Sequence, residues 1–238
     1  MTENILIIGG GSGIGNELLK KYTKMSNVFT TYRNNKPTIK ECKSYRLDLG
    51  NIVEIQSFVR KLKYRNIKFD QILFIAAYTG TYKLEKNKNT KASFMSSLSK
   101  KLFEFYLKVN CINPVIFFEL LLKNQMITDN CKVIFFSSLA GSIESRGKLR
   151  HNKTGGNIMY RVSKSALNSA IKNIAYDLSE TSIVVIALHP GWVRTNSGGK
   201  TANLSIGYSS KKIYELISKI KKKDSGNFLN YDGRKIKW

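Results

Sequence analysis

Proline, cysteine and histidine are scarce in this chain of 238 residues, which carries three, three and two of them. With so few prolines and no low-complexity stretch there is no linker to divide the chain. Its length fits one sizeable domain with a large core. Cys42, Cys111 and Cys131 are odd in number and widely spaced, which argues against a disulfide frame or zinc site and for a reducing compartment. His151 and His189 make no metal cluster, so none is expected. Acidic residues are also few, 16 against 40 lysines and arginines, for a net charge of +24. The longest apolar runs, 72–77 and 115–122, are too short to cross a bilayer. The N-terminus passes directly into Asn4-Ile5-Leu6-Ile7-Ile8 without the basic region of a signal peptide, so a cytoplasmic location is expected.

The positive charge has two readings. One is lysines scattered over a solvated surface; the other is a surface for nucleic acid or another polyanion. The sequence shows no RNA-binding motif and no arginine-rich block, and its densest run, 219–223, has four lysines and no aromatic among them. Nucleic acid is therefore the lesser expectation.

Strand and helix patterns alternate from end to end. Short apolar runs at 4–8, 28–32, 44–47, 71–77, 132–136, 182–188 and 227–229 read as strands. Helical periodicity covers 13–25, 52–63, 101–123, 158–178 and 210–221, with Pro114 a candidate bend in the third. Asn51 with Glu54 three residues on predicts a capped helix start. Such alternation implies βαβ units: an α/β, Rossmann-type, doubly wound parallel sheet in a single domain, 1–238, with ligands at the carboxyl ends of the strands.

The first strand runs into Gly9-Gly10-Gly11-Ser12-Gly13-Ile14-Gly15. Glycines allow a sharp turn and close approach to a pyrophosphate, and the helix that follows presents free N–H groups and a positive dipole end. Its position between first strand and first helix favours dinucleotide binding; a glycine loop without a cofactor is the other reading. The second strand ends in Tyr32-Arg33-Asn34 with Lys36 nearby and no carboxylate to accept from a ribose 2′-hydroxyl. Arg33 suits a 2′-phosphate, and hence NADP(H), unless it is one more surface cation.

Tyr160 and Lys164 stand four apart in a helical segment, on one face and about one turn from each other. A free tyrosine holds its proton to a pKa of ~10; an adjacent ammonium favours the phenolate, and lowering the pKa by ~3 takes about 4 kcal/mol. The pair is a candidate proton-transfer device.

The glycine-rich turn together with Tyr160-x-x-x-Lys164 resembles the short-chain dehydrogenase/reductase family, over nearly the whole chain. Asp48-Leu49 sits where the family's acidic residue approaches adenine, Asn110 matches its helix asparagine, and Ser138, rather than Ser137, its catalytic serine. Pro190-Gly191-Trp192-Val193-Arg194-Thr195 matches the loop that contacts the nicotinamide amide. The tail Asn227-Phe228-Leu229-Asn230-Tyr231-Asp232-Gly233 and Trp238 look like the C-factor and sniffer-type carbonyl reductases. The departures are Ile8 for a threonine, Ile75-Ala76-Ala77-Tyr78 for N-N-A-G, and a long Ser142 to Asn157 connection that carries five basic side chains. Backbone contacts from Ala76 and Ala77 to the adenosine can survive the second change.

The resemblance implies hydride transfer between NADP(H) and a small carbonyl or alcohol. Tyr160 would be the general acid, Ser138 would hold the substrate oxygen, Lys164 would tune Tyr160 and bind ribose, and Asn110 would hold a relay water. Gly9, Ser12, Gly13, Ile14, Gly15, Arg33, Asp48, Leu49, Ala76, Ala77, Pro190, Gly191, Val193 and Thr195 would line the cofactor. A catalytically idle NADP-binding signalling protein and a polyanion-binding protein on the same fold are the alternatives. The helix at 101–123, apolar on several faces, predicts a homodimer or homotetramer.

Overall fold

The computed structural model describes residues 2–80, 98–148 and 157–238. Seven strands form one parallel sheet: β1 (Asn4–Ile8), β2 (Asn27–Tyr32), β3 (Cys42–Arg46), β4 (Phe69–Phe74), β5 (Ile127–Phe136), β6 (Val184–His189) and β7 (Phe228–Asn230). Their spatial order is β3-β2-β1-β4-β5-β6-β7. The order reverses between β1 and β4, which opens a crevice at their carboxyl ends.

Side-chain alternation divides the core. Along β1, Leu6 and Ile8 face one layer while Ile5 and Ile7 face the other. The first layer is covered by α2 (Ile52–Lys63), α4 (Asn113–Lys123) and α5 (Ile158–Asp177), the second by α1 (Gly13–Tyr22) and α6 (Ile206–Lys219). All four of those β1 side chains are wholly buried, worth about 2 kcal/mol each in removal from water.

The expected elements are present with shifted edges. β5 starts five residues before 132, although Asp129 and Asn130 are exposed there. β4 ends at Phe74 because Ile75 and Ala76 both donate backbone N–H to the Ile8 carbonyl as the chain leaves the sheet. α1 stops at Tyr22, whose carbonyl accepts from Met25 and Ser26 in a closing turn. α6 starts at Ile206 because Ser205 accepts from the Tyr208 N–H. Asn51 caps α2 as expected, but Glu54 reaches the Asp48 N–H and the Asn51 side-chain amide instead of the Asn51 backbone.

The single helix expected at 101–123 is three pieces: α3 (Lys100–Leu107), a π-helical turn (Lys108–Ile112) and α4. Pro114 has no N–H to return to residue 110, which fits a widened turn immediately before it. The continuous stretch, Lys100–Lys123, is 24 residues and apolar enough to cross a bilayer by length and composition, a length the apolar runs of the sequence did not suggest. Here it lies on the sheet, with Tyr106, Val109, Phe117, Phe118 and Leu121 buried.

The chain's end folds back on β7. Trp238 stacks on Phe228 at 5.5 Å, and its carbonyl accepts from the Glu144 N–H. Lys237 pairs with Glu144 at 2.9 Å, and the Ser142 hydroxyl donates to the Lys237 carbonyl. Residues 142–148 are thus strapped by the tail. The remainder of the expected basic loop, with Arg150, His151 and Lys153, lies outside the described residues.

Candidate active site

Six strand ends, those of β1 to β6, contribute to the crevice. After β1, Gly9 and Gly10 donate their N–H groups to the Thr31 carbonyl of β2. Gly9 has φ of +104°, and a Cβ there would sit 2.7 Å from the Ala76 nitrogen after β4. A Cβ on Gly15 would lie 2.1 Å from the Gly9 carbonyl, so α1 can start this close to the turn only without side chains. Ser12 occupies the N-cap with no side-chain cap bond and lines the cleft. The first-turn N–H groups of Gly13, Ile14 and Gly15 therefore open onto a cradle shaped for a phosphate.

β2 delivers Arg33 to the rim of this cradle, exposed, and among the described residues no ion pair includes it. A Cβ on Gly11 would lie 2.2 Å from the Asn35 carbonyl, which shows how closely the Arg33–Asn35 corner abuts the glycine turn. Past β3, Asp48 is half-buried and accepts the Gly50 N–H at 2.7 Å. Leu49 is buried, and its carbonyl accepts from the Asn113 amide. Ala76 and Ala77 follow β4 between these groups. These features fit a dinucleotide: a side-chain-free cradle, a helix amino end, and an exposed guanidinium at the tip of β2.

Strand β5 brings Ser138 to the centre. It caps a 3-10 turn, Leu139–Gly141, by accepting from the Ala140 N–H, and it acts on the Tyr160 phenol in the direction that favours loss of its proton. Ser137, by contrast, donates its hydroxyl to Asn168 in the core. Gly141 lets the turn press against α5, since a Cβ there would meet the Lys164 backbone at 2.8 Å.

Tyr160 and Lys164 share a face of α5 as expected, but their electrostatics differ from the expectation. Lys164 is only 2 % exposed, and its ammonium donates to the Phe136 carbonyl at 2.7 Å. Burial pulls its pKa down to about 8, and the nearby Cys111 thiol opposes this weakly. The Tyr160 phenol is pushed up by burial, against a Ser138 hydrogen bond and the Arg161 charge that lower it. Without a ligand, Lys164 does not make the phenolate easy to form.

Asn110, in the π-turn, is fully engaged. Its Oδ1 accepts from the Tyr78 N–H at 2.7 Å, and its Nδ2 donates to the Tyr78 carbonyl and to Ser163 Oγ at 2.8 and 3.0 Å. Ser163 in turn donates to the Tyr160 carbonyl. The side chain thus ties the end of β4 to the helix that carries Tyr160. The Ile75–Tyr78 stretch is held by this asparagine and by the Ile8 carbonyl, so the departures there keep their backbone anchoring.

The loop after β6 closes the crevice. Gly191 takes a φ of +84°, the Pro190 carbonyl accepts from Ser209, and Val193 is buried and bridged to Leu204. Thr195 packs against Gly13: a Cβ on that glycine would be 3.4 Å from the Thr195 methyl. Ser12, Gly13, Thr195 and Lys200 are among the walls of a cleft of about 460 Å³. Three contacts here carry no sequence signal: the Phe136 carbonyl under Lys164, the Asn113 bond to Leu49, and the Thr79–Ser197 hydroxyl bond of 3.0 Å across the crevice. They depend on backbone atoms or on residues far apart in the chain.

Known proteins resemble this arrangement. The chain is 38 % identical to C-signal of Myxococcus xanthus over 92 residues, 39 % of this chain and 55 % of that protein. It superposes on the carbonyl reductase Sniffer of D. melanogaster with a TM-score of 0.82 and 26 % identity, all of both chains covered. It also superposes on an NADPH-bound carbonyl reductase from chicken fatty liver, with a TM-score of 0.82, 23 % identity, and coverage of 100 % and 99 %. Residues 3–204 match the family model described as short chain dehydrogenase, and the chain belongs to that family of oxidoreductases.

Proposed function

We propose that the protein is an NADP(H)-dependent reductase of small carbonyl compounds, able to run in reverse as an alcohol dehydrogenase. The observation that carries this reading is the placing of Ser138 at the end of β5, where it favours loss of the Tyr160 proton, with Lys164 buried one turn along α5 and the glycine cradle alongside. Arg33, exposed at the tip of β2, would hold the 2′-phosphate, and NADPH is the ligand of the chicken fatty liver relative. The glycine turn, Asp48, Leu49, Ala76 and Ala77 would seat the rest of the dinucleotide, with Pro190, Gly191, Val193 and Thr195 at its nicotinamide end. Such a cofactor supplies a hydride to the carbonyl carbon.

The chain's own residues do the remainder. Ser138 donates to the substrate oxygen and fixes its distance, a positioning and electrostatic effect. Tyr160 gives its proton to the same oxygen as negative charge develops on it, and its raised pKa keeps that proton in place until then. Lys164 lies one turn along the same helix, its ammonium held on the Phe136 carbonyl and its pKa pulled down to about 8 by burial, and would bind the nicotinamide ribose. Asn110 holds Tyr78 and Ser163 and so fixes the angle at which α5 meets β4.

The half-exposed remainder of the α3–α4 helix, with Ile112 48 % exposed, supports self-association as a homodimer or homotetramer, which light scattering would read. The test of the chemistry is Tyr160→Phe. It should cut turnover on a ketone or quinone by at least ~100-fold and leave NADPH binding within about 2-fold. Wild-type turnover in that variant would end the proposal; no turnover in either protein, with intact NADPH binding, would favour an idle nucleotide-binding protein.

A further inference from the structure

The sheet's outer edge, remote from the reaction centre, carries an arrangement of charge that the reductase reading does not use. On edge strand β3, Lys43 and Tyr45 are two residues apart and so point to the same face. Lys43 Nζ sits 4.9 Å from the centre of the Phe29 ring. Two further cations from the end of α2 converge on Tyr45: Lys61 Nζ at 5.4 Å and the Arg65 guanidinium at 5.8 Å, the latter also donating to the Tyr45 hydroxyl at 2.6 Å. Among the described residues, no ion pair includes Lys43, Lys61 or Arg65. Aromatic faces attract each of them but neutralise none. Between Lys63 and Arg65 stands Tyr64, 90 % exposed, the most exposed aromatic on the described surface.

We propose that this edge is a binding surface for single-stranded nucleic acid, with Lys43, Lys61 and Arg65 on the phosphates and Tyr64 as the ring on which a base stacks. Cations held apart in a fixed array, with a free aromatic face beside them, are the two parts such recognition requires. A duplex offers Tyr64 no unstacked base. A bilayer surface would call for aliphatic side chains among the cations; the exposed positions of α2 within a turn of Lys61 are Ser57, Arg60 and Lys63, and the exposed aliphatic Val53 stands two turns back along the helix. The surface is also distinct from the glycine cradle, so cofactor and nucleic acid need not compete.

The test uses the full chain and a labelled uridylate dodecamer, titrated by fluorescence anisotropy between about 50 and 200 mM salt. Replacing Lys43, Lys61 and Arg65 together by glutamine should flatten the slope of log affinity against log salt by about 2, the value for three single-strand phosphates. A matched control with Lys219, Lys221 and Lys223 changed to glutamine removes the same charge and should leave that slope near wild type. Tyr64→Ala, a single change at an exposed position that does not threaten the fold, should weaken binding about 10-fold. Saturating NADPH should leave wild-type binding unchanged. Equal slopes in the two triple variants, an unaffected Tyr64→Ala, displacement by NADPH, or no binding at low salt would each overturn the proposal. So would preferential retention on anionic phosphatidylglycerol vesicles.

Discussion

Replacing Lys164 by methionine isolates the electrostatic cost built into this site. The lysine is 2 % exposed, and its pKa stands at about 8 against an ordinary value of 10.5. A folded-state pKa below the unfolded one means that the unfolded chain binds more protons between those two values. Stability contributed by this group therefore rises with pH over that window and carries a constant penalty below it. The gap corresponds to about 3 kcal/mol. Methionine keeps most of the volume and removes the charge, but leaves the Phe136 carbonyl without its donor, at a cost of about 1–3 kcal/mol. At pH 7 relief of the charge penalty offsets or exceeds that loss, so the variant should unfold in urea close to wild type or up to about 2 kcal/mol above it. At pH 10.5 the wild type has shed most of its penalty, so the stability difference should move against the variant by about 3 kcal/mol relative to pH 7. Other groups titrate equally in both proteins and drop out of the difference. Parallel stability curves from pH 7 to 10.5 would show that Lys164 carries its proton at no cost, and the reasoning would fail.

Three further outcomes follow from the same geometry. Arg33→Ala should weaken NADPH binding by about 2–3 kcal/mol and NADH binding far less, by calorimetric titration; equal affinities of the native protein for both would refute the role of Arg33. Gly9→Ala adds a methyl at a φ of +104° and 2.7 Å from the Ala76 nitrogen, so it should lower the melting temperature and reduce dinucleotide affinity at least ~10-fold. Trp238→Ala removes a ring stacked on Phe228 and loosens the strap on residues 142–148; unfolding should cost about 2 kcal/mol less, with turnover falling more than NADPH affinity.

The sequence revealed what depends on chain-local pattern. Apolar runs located the strands inside the sheet, because a strand buried on both faces must be apolar throughout, whereas edge strand β3, Cys-Lys-Ser-Tyr-Arg, carries little such signal and its start was placed two residues late. The glycine turn and the four-residue spacing of Tyr160 and Lys164 put the candidate site at carboxyl ends of strands, and the structure places the glycine turn at the end of β1 and Ser138 at the end of β5. Hydrogen-bond register was hidden. Nothing in the side chains of 101–123 except Pro114 announces a π-turn, and nothing at Phe136 marks its carbonyl as the partner of Lys164. For that reason the spacing put Lys164 on the same helix face as Tyr160 but did not foresee that its ammonium turns to the Phe136 carbonyl or that burial raises the phenol's pKa. The edges of β5 and α6 were misjudged for a similar reason: Asp129 and Asn130 interrupt the apolar pattern, and the Ser205 cap lies five residues before the periodic stretch begins.

The π-turn at Lys108–Ile112 has a consequence for how this helix tolerates change in length. A π-turn holds one residue more than the α-helical turn it replaces, as though a residue had been inserted and absorbed on the spot. Deleting one residue between Lys108 and Ile112 would let α3 and α4 merge into one α-helix, its backbone ladder interrupted only where Pro114 lacks an N–H. Successive residues of an α-helix are about 100° apart, so everything before the deletion would turn by about that angle relative to α4. Tyr106 would leave its place beside Tyr78, and the carboxamide now clamped on the Tyr78 backbone would swing off it. The irregular turn thus acts as a phase shifter, letting one continuous rod present two faces that a regular helix of this sequence could not present together.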